Sequence, residues 1–237
     1  MSQLADRYHA VQERIDAAAG LAGRNRDDLT VVVVTKNHPA SLVLDLIELG
    51  ARDFGENRDQ EASAKGQAVA AALGETAGEL RNHWHFVGQL QSNKVRSVLQ
   101  YAATIHSLDR ASLLAALAKE TAKVSEEHLP PIGVFIELNL TDDLGRGGIV
   151  PAELERFATA VLEVPGLNLL GVMGVATLEQ QAERDFALIR SCSERLQAVA
   201  PAARFISAGM SGDFEQAIGF GATHLRIGTA ITGHRQY

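Results

Sequence analysis

A chain of 237 residues, 46% of them hydrophobic and 22% charged, has the composition of a globular protein and can bury one sizeable core. Its formal net charge of −7 argues against nucleic acid or an anionic membrane surface as a partner. The lone cysteine, Cys192, excludes an intrachain disulfide and suits a reducing compartment. Because the chain shows no signal-peptide core and no apolar stretch of membrane-spanning length, we expect a cytoplasmic protein.

Short apolar runs alternate with amphipathic or alanine-rich segments along the chain. The predicted strands are 30–35, 52–55, 83–87, 103–107, 132–140, 167–173, 204–207 and 223–227. The predicted helices are 3–19, 40–50, 57–73, 91–101, 110–127, 151–164, 178–199 and 213–220. This alternation predicts an α/β fold, a single (β/α)8 barrel of the TIM type over residues 1–237, with an extra N-terminal helix. A doubly wound open sheet is the alternative, but no Gly-x-Gly-x-x-Gly turn follows the first strand.

Lys36 stands at the carboxyl end of the first predicted strand. It follows the run Val31–Thr35, which contains four consecutive valines and is typical of a strand buried on both faces. Parallel α/β sheets place their chemistry at this end of the strands. A lysine amine withdrawn from water there becomes nucleophilic toward aldehydes. The simpler alternative is a solvated lysine at a strand end.

Two glycine-containing loops follow the last two predicted strands. They are Ser207–Asp213 and Arg226–Thr229. Barrel enzymes often hold a phosphate between these two loops, with backbone N–H groups as donors. A phosphate site opposite an imine-forming lysine suggests an aldehyde-bearing phosphate as the ligand. Pyridoxal 5′-phosphate and the sugar phosphate of an aldolase both satisfy that description.

Several segments together resemble the pyridoxal phosphate homeostasis protein family, also called the proline synthase co-transcribed protein family. The matching segments run in order along essentially the whole chain: 31–36, 54–57, 84–94, 105–110, 209–213 and 226–235. The resemblance implies a barrel like the N-terminal domain of bacterial alanine racemase, with the cofactor held as a Schiff base. It also implies a role in intracellular homeostasis of the cofactor, by buffering and delivery, without established catalytic turnover. The implied partners are apo-enzymes that need the cofactor, met transiently by a monomer or weak dimer.

The resemblance assigns roles to particular residues. The imine lysine falls on Lys36, and the arginine that faces the pyridine nitrogen falls on Arg226. The positions that line the ring are Asn57 and Met173. The phosphate-binding positions are Ser207, Gly209, Ser211, Gly212, Gly228 and Thr229. The chain departs from the family pattern at Asn37-His38, at Arg58-Asp59, at Ala208 and at Arg146.

A racemase-like enzyme that uses the same cofactor is the competing interpretation. Racemases of this fold need a second base, commonly a tyrosine, opposite the lysine. Tyr8 and Tyr101 fall in predicted helices, and Tyr237 comes directly after the last predicted elements, so we expect neither the second base nor the second domain of a racemase. An aldolase would leave Arg226 unexplained. We therefore expect a binding protein without efficient turnover and without a metal, in which His83 and His85 form hydrogen bonds inside the barrel.

Overall fold

The computed structural model describes residues 3–74, 83–124, 130–143, 145–177 and 181–233. Its strands form a closed, parallel barrel in which each strand pairs with its neighbours in chain order and the last pairs with the first. The strands are β1 (Thr30–Val34), β2 (Asp53–Glu56), β3 (Trp84–Phe86), β4 (Thr104–Leu108), β5 (Ile132–Glu137), β6 (Leu167–Met173), β7 (Phe205–Ser207) and β8 (His224–Ile227).

Helices surround this barrel. They are α1 (Gln3–Leu21), α2 (Ala40–Glu48), α3 (Asp59–Leu73), α4 (Val95–Val98), α5 (Ala111–Val124), α6 (Leu154–Leu162), α7 (Ala182–Val199), α8 (Phe214–Gly219) and α9 (Thr229–Thr232). Short 3₁₀ turns lie at Arg26–Asp28, Ser92–Lys94 and Pro151–Glu153. None of the helices that the structure describes is long and apolar enough to cross a bilayer.

The predicted (β/α)8 barrel is confirmed, and the open-sheet alternative is excluded by the pairing of β8 with β1. The predicted helix 91–101 is wrong in its extent, because only α4 and the preceding 3₁₀ turn are helical there. Ser92 and Asn93 favour such a turn, since their side chains compete with helical backbone hydrogen bonds. Residues 125–127 and 178–180 of two other predicted helices lie outside the described part of the chain.

The largest apolar core lies between the barrel and its helices. Alternate strand residues such as Val33, Phe54 and Ile105 point outward into this layer and are fully buried. The intervening strand positions point into the barrel, and several of them are polar. Buried polar residues of the strands include His85, His106, Ser207 and Arg226. The barrel interior therefore carries a polar network where many barrels carry packed aliphatic side chains.

Helix α1 closes the layer beside the last βα unit. Its buried residues Leu4, Tyr8, Val11 and Ile15 recur at helical spacing and form one apolar face. This face packs α1 against α8 and α9. Arg7 on the same helix donates from Nε to the Ile231 carbonyl oxygen at 2.8 Å. The N-terminal helix thereby fixes the segment that follows β8, which is one wall of the candidate site.

Candidate functional site

The predicted site residues lie at one end of the barrel. Lys36 follows β1 and Asn57 follows β2, while the two glycine-containing loops follow β7 and β8. Since β7, β8, β1 and β2 are neighbours in the closed sheet, these four positions occupy adjacent sectors of the carboxyl-terminal rim. Met173 ends β6 and is paired with Ser207, which ends β7. The fold thus brings together residues that are far apart in the sequence.

The loops after β7 and β8 are tied to each other and leave backbone donors free. The Ser211 hydroxyl oxygen accepts a hydrogen bond from the backbone N–H of Ala230 at 3.2 Å, which joins the two loops. Within the described part of the chain, no protein group accepts from the N–H groups of Ser211, Gly212, Gly228 or Thr229. Free backbone donors in two loops that are joined to each other favour the binding of an anion.

Gly209 is required by the path of the first of these loops. Its φ of +90° lies in a region that residues with side chains rarely adopt. A Cβ atom here would lie 2.8 Å from the Ala217 Cβ atom of α8. At Gly212, in contrast, a Cβ atom would point into open space. Gly209 therefore allows the loop to turn against α8, and Gly212 leaves room beside the free N–H groups.

Ser207 has contacts that differ from those expected of a phosphate ligand. Its side chain is completely buried inside the barrel. Its Oγ atom accepts from Arg226 Nη1 at 2.5 Å and lies 2.7 Å from His106 Nδ1. The hydroxyl is thus occupied by protein partners below the loops. The geometry makes Ser207 a partner of Arg226 and His106, and its phosphate role stays a prediction.

Arg226 is held in place below the rim by its hydrogen bonds. It is 6% exposed, and its second guanidinium nitrogen, Nη2, donates to the Gly174 carbonyl oxygen at 3.0 Å. Burial lowers the pKa of Arg226 to about 10, so the group stays charged at neutral pH. Burial, followed by the nearby charge of Asp109, raises the pKa of Glu137 to about 7. Sequence reasoning missed Glu137, which ends β5 and whose charge opposes that of Arg226.

Lys36 itself is exposed to solvent, in contrast to the desolvated lysine that the sequence argument assumed. The residue after it, Asn37, has a φ of +63°, which is uncommon for a residue other than glycine. The backbone N–H of Asn37 donates to the Glu61 carboxylate, and the N–H of His38 donates to the Thr35 carbonyl oxygen at 3.1 Å. The turn that carries Lys36 is therefore held by hydrogen bonds on both sides of the lysine.

A buried ion pair lies beneath this turn. Lys65 Nζ is 2.5 Å from Glu56 Oε1, and their side chains are 4% and 0% exposed. Lys65 also donates to the Thr35 carbonyl oxygen at 2.7 Å and to Glu61 Oε1 at 3.1 Å. The Thr35 hydroxyl donates to the same Glu56 oxygen at 2.6 Å. The network connects the end of β1 to β2 and α3, and so fixes the position of Lys36.

Sequence reasoning missed Lys65, although one signal was present. The buried residues of α3 are Ala62, Lys65 and Val69, which share one helical face. A lysine on an apolar helical face needs a partner, because charged groups are seldom fully buried unless they are paired. The position of Lys65 therefore indicated a buried acidic partner. Glu56 fills that place, while burial raises the pKa of its carboxyl group.

Asn57 presents an acceptor to the mouth of the barrel. Its Oδ1 atom is buried and has no hydrogen-bond partner among the described residues. Buried side-chain oxygens usually have a partner, so this atom is available to a ligand. Asn57 also lines a cavity of about 770 Å³ that extends from Arg58 to the loop around Arg146. A second cavity, of about 540 Å³, lies beside Met210 and Gly212.

His83 and His85 form hydrogen bonds to Asp53, as the sequence analysis expected of barrel histidines. His83 Nδ1 lies 3.0 Å and His85 Nε2 lies 3.2 Å from Asp53 Oδ1. Burial alone would raise the pKa of Asp53, but the hydrogen bonds from His85 and His83 outweigh it and lower that pKa. Among the residues that the structure describes, no group of histidines, cysteines and carboxylates is arranged to hold a metal ion.

Comparison with known proteins identifies close relatives. The family described as alanine racemase, N-terminal domain, matches residues 7–236. The chain is 38% identical to the pyridoxal phosphate homeostasis protein of Escherichia coli K12, over 100% of this chain and 99% of that protein. It is also 38% identical to the protein of the same name from Mycobacterium tuberculosis H37Rv, over 99% and 94% of the two chains.

Solved structures share the fold. PipY of Synechococcus elongatus, solved with pyridoxal phosphate bound, is 30% identical with a TM-score of 0.78, covering 98% of this chain and 100% of its own. A structure described as that of an unknown protein from Bifidobacterium adolescentis is 29% identical with a TM-score of 0.87, covering 98% of this chain and 97% of its own. Alanine racemase from Corynebacterium glutamicum is 14% identical with a TM-score of 0.67, over 97% of this chain and 62% of the racemase, which shows a common fold.

The buried ion pair beneath Lys36 generates a test of stability. Lys65→Met should lower the free energy of unfolding by about 3–5 kcal/mol, because it leaves the buried Glu56 carboxylate without its counter-charge. Lys94→Met is the matched control. Lys94 lies 3.6 Å from Asp59 with 36% of its side chain exposed, so its loss should cost less than about 1 kcal/mol. Urea unfolding measures both, and equal small losses would show that the pair contributes little.

Proposed function

The chain belongs to the alanine racemase N-terminal domain family and to the family of the pyridoxal phosphate homeostasis proteins, and on this premise we propose that it binds pyridoxal 5′-phosphate covalently through Lys36. One observation carries the proposal. The Lys36 turn and the loops with free N–H groups occupy adjacent sectors of one barrel rim. The proposed role is to buffer the cofactor in the cytoplasm and to deliver it to apo-enzymes.

The residues at the rim fit this cofactor. The Lys36 amine would condense with its aldehyde group and release water. The N–H groups of Ser211, Gly212, Gly228 and Thr229 would hold its phosphate. The unpartnered Oδ1 atom of Asn57 would accept from the ring substituents, and Met173, buried at the end of β6, would pack below the ring. When bound, the cofactor supplies an electron-accepting aromatic ring.

Arg226 favours holding of the cofactor over turnover. A guanidinium group donates hydrogen bonds and does not accept them, so beside the pyridine nitrogen it keeps that nitrogen unprotonated. An unprotonated ring withdraws electrons poorly, in contrast to a ring whose nitrogen is protonated beside a carboxylate. The hydrogen bonds of Arg226 to Ser207 and Gly174, which hold its guanidinium group inside the barrel, support this role.

The exposure of Lys36 to solvent favours delivery of the cofactor to other proteins. A covalent adduct on an amine that is open to solvent can be reached by water and by the amines of other molecules. The adduct can therefore be exchanged without unfolding of the barrel. The ion-pair network below Lys36 holds the backbone of the turn, while the Lys36 side chain is exposed.

A racemase-like enzyme remains the second candidate, because the fold is shared with alanine racemase. Such an enzyme needs a second base near Lys36. Tyr8 is buried in α1, and Tyr101 lies in the turn before β4, next to Gly66 of α3, so neither stands at the carboxyl end of a strand. The predicted position of Tyr101 inside a helix is wrong by this account, and Tyr237 lies outside the described residues.

Trapping of the adduct tests the proposal most simply. After incubation with pyridoxal phosphate and reduction with borohydride, mass spectrometry should locate the adduct on Lys36, and Lys36→Ala should abolish it. Lys94→Ala is the control, since Lys94 lines the mouth of the barrel but does not follow β1. An adduct on another lysine in the unmodified protein would contradict the assignment.

The two glycine-containing loops after β7 and β8 lead to a prediction about cofactor binding. Ser211→Ala removes the hydrogen bond that joins the two loops, and Thr229→Ala removes a hydroxyl beside a free N–H group. Each change should weaken binding of the phosphate form by about 0.5–3 kcal/mol, measured by fluorescence titration. Pyridoxal without the phosphate should bind the unmodified protein far more weakly. If the two forms bound equally, the phosphate site would lie elsewhere.

Neither tyrosine in the described part of the chain, Tyr8 or Tyr101, stands at the carboxyl end of a strand, and this leads to a kinetic prediction. The loaded protein, incubated with each common L-amino acid, should show very slow racemisation, decarboxylation and transamination, because one acid–base partner alone is worth about 10²–10⁴-fold in rate. Chiral chromatography, carbon dioxide release and keto-acid assays would follow the products. Turnover at about 1–10³ per second with any amino acid would favour the enzyme over the carrier.

A further inference from the structure

A continuous chain of hydrogen bonds runs through the interior of the barrel. Asp53 Oδ1 lies 3.2 Å from His85 Nε2, and His85 Nδ1 lies 2.9 Å from His106 Nε2. His106 Nδ1 lies 2.7 Å from Ser207 Oγ, which accepts from Arg226 Nη1 at 2.5 Å. Asp53 begins β2 at the amino-terminal end of the barrel, and Ser207 ends β7 at the opposite end. The chain therefore links Arg226 to the far side of the barrel.

The donors and acceptors in this series of hydrogen bonds allow only one direction of donation, from Arg226 toward Asp53. Arginine only donates, so the Ser207 oxygen must accept from Arg226. The Ser207 hydroxyl then donates its own hydrogen bond to His106 Nδ1, because no other acceptor among the described residues lies within reach of the hydroxyl. A neutral His106 must consequently carry its proton on Nε2 and donate to His85 Nδ1.

The same reasoning fixes the second histidine. Because His85 Nδ1 accepts from His106, its proton lies on Nε2 and points at the Asp53 carboxylate, which only accepts. The reverse direction would leave the buried Ser207 proton without an acceptor and would place a bare His85 nitrogen against a carboxylate. Both are costly in the interior of a protein.

The charges of the groups in this series of hydrogen bonds agree with this direction of donation. Burial and the nearby His85 and Arg226 keep the pKa of His106 well below its usual value, so His106 is neutral at physiological pH. Asp53 is ionised, since the hydrogen bonds from His85 and His83 lower its pKa. The hydrogen bonds thus run from the Arg226 cation at one end, past a neutral His106, to the Asp53 anion at the other. Hydrogen bonds aligned in this way polarise one another.

We propose that His85, His106 and Ser207 are positioning residues that orient the guanidinium of Arg226 from inside the barrel. His106 Nδ1 accepts a hydrogen bond from the Ser207 hydroxyl, and this orients the oxygen lone pairs of Ser207 toward Arg226. Without that restraint the hydroxyl could rotate and present its proton to the guanidinium. The positioning role rests on the proposed function, because it concerns the approach of Arg226 to the pyridine nitrogen of the cofactor. The direction of the chain does not depend on that function.

Nuclear magnetic resonance of the cofactor-free protein tests the direction. With ¹⁵N-labelled imidazole rings at pH 7.5, His85 and His106 should both show the neutral form that carries its proton on Nε2. Finding either ring protonated on Nδ1, or a charged His106, would overturn the assignment. This measurement needs no variant and no bound cofactor.

Two substitutions of one residue test the positioning role. His106→Asn keeps an amide oxygen near the place of Nδ1, where it can accept from Ser207. His106→Gln places its amide near Nε2, where it can still donate to His85 but leaves Ser207 without an acceptor. We expect the dissociation constant of pyridoxal phosphate to rise about tenfold in His106→Gln, or about 1.4 kcal/mol, and less than about twofold in His106→Asn.

Controls separate positioning from a general loss of structure. His83→Gln should change binding little, since His83 contacts the same Asp53 oxygen but lies outside the chain to Arg226. A cofactor analogue with carbon in place of the pyridine nitrogen should bind His106→Gln and the unmodified protein equally. Equal losses in the two His106 variants, or a tenfold loss that persists with the analogue, would overturn the positioning role. An unmodified protein that bound no pyridoxal phosphate would overturn the proposed function as well, while the histidine protonation states would still decide the direction of the chain.

Discussion

The pairing of β8 with β1 is the constraint on which the rest of the site depends. It closes the barrel and places the loop that follows β8 beside the turn that carries Lys36, although these segments lie at opposite ends of the sequence. A Cβ atom built on Gly228 would lie 3.5 Å from the Val34 carbonyl oxygen, which shows how closely the two segments approach. An open sheet built from the same strands would separate the lysine from the glycine-containing loop that follows β8. The arrangement of the candidate site therefore depends on the closure of the barrel.

The two buried cations Lys65 and Arg226 have different kinds of hydrogen-bond partners. Lys65, outside the barrel wall, is neutralised directly by Glu56 and braces the turn before Lys36. Arg226, inside the barrel, has no carboxylate among its hydrogen-bond partners in the described structure and donates to a hydroxyl and a carbonyl oxygen. Burying a charge is costly unless it is compensated. The nearby charges of Glu137 and Asp213 oppose that of Arg226, and the hydrogen bonds through the two histidines lead on from Ser207 to Asp53.

Much of the fold was predictable because most strands carry a local signal, although composition alone would not reveal β2. The valines of β1 and the alternation of short apolar runs with helices defined the barrel, and the loops around Gly209 and Gly228 defined the rim. The networks were harder to predict, because they join residues from separate strands. Nothing near Ser207 in the sequence indicates that its hydroxyl meets His106 and Arg226, so a phosphate role was expected for it. Exposure of Lys36 depends likewise on how the turn is braced by Glu61 and Lys65.

A crystal structure of the protein soaked with pyridoxal phosphate would test the central claim most directly. The account predicts continuous density from Lys36 Nζ to the aldehyde carbon, with the phosphate within hydrogen-bonding distance of the N–H groups of Ser211, Gly212, Gly228 and Thr229. It also predicts Arg226 facing the pyridine nitrogen, with its bond to Ser207 intact. A phosphate bound instead in the cavity between Asn57 and Arg146, with Lys36 unmodified, would contradict the account.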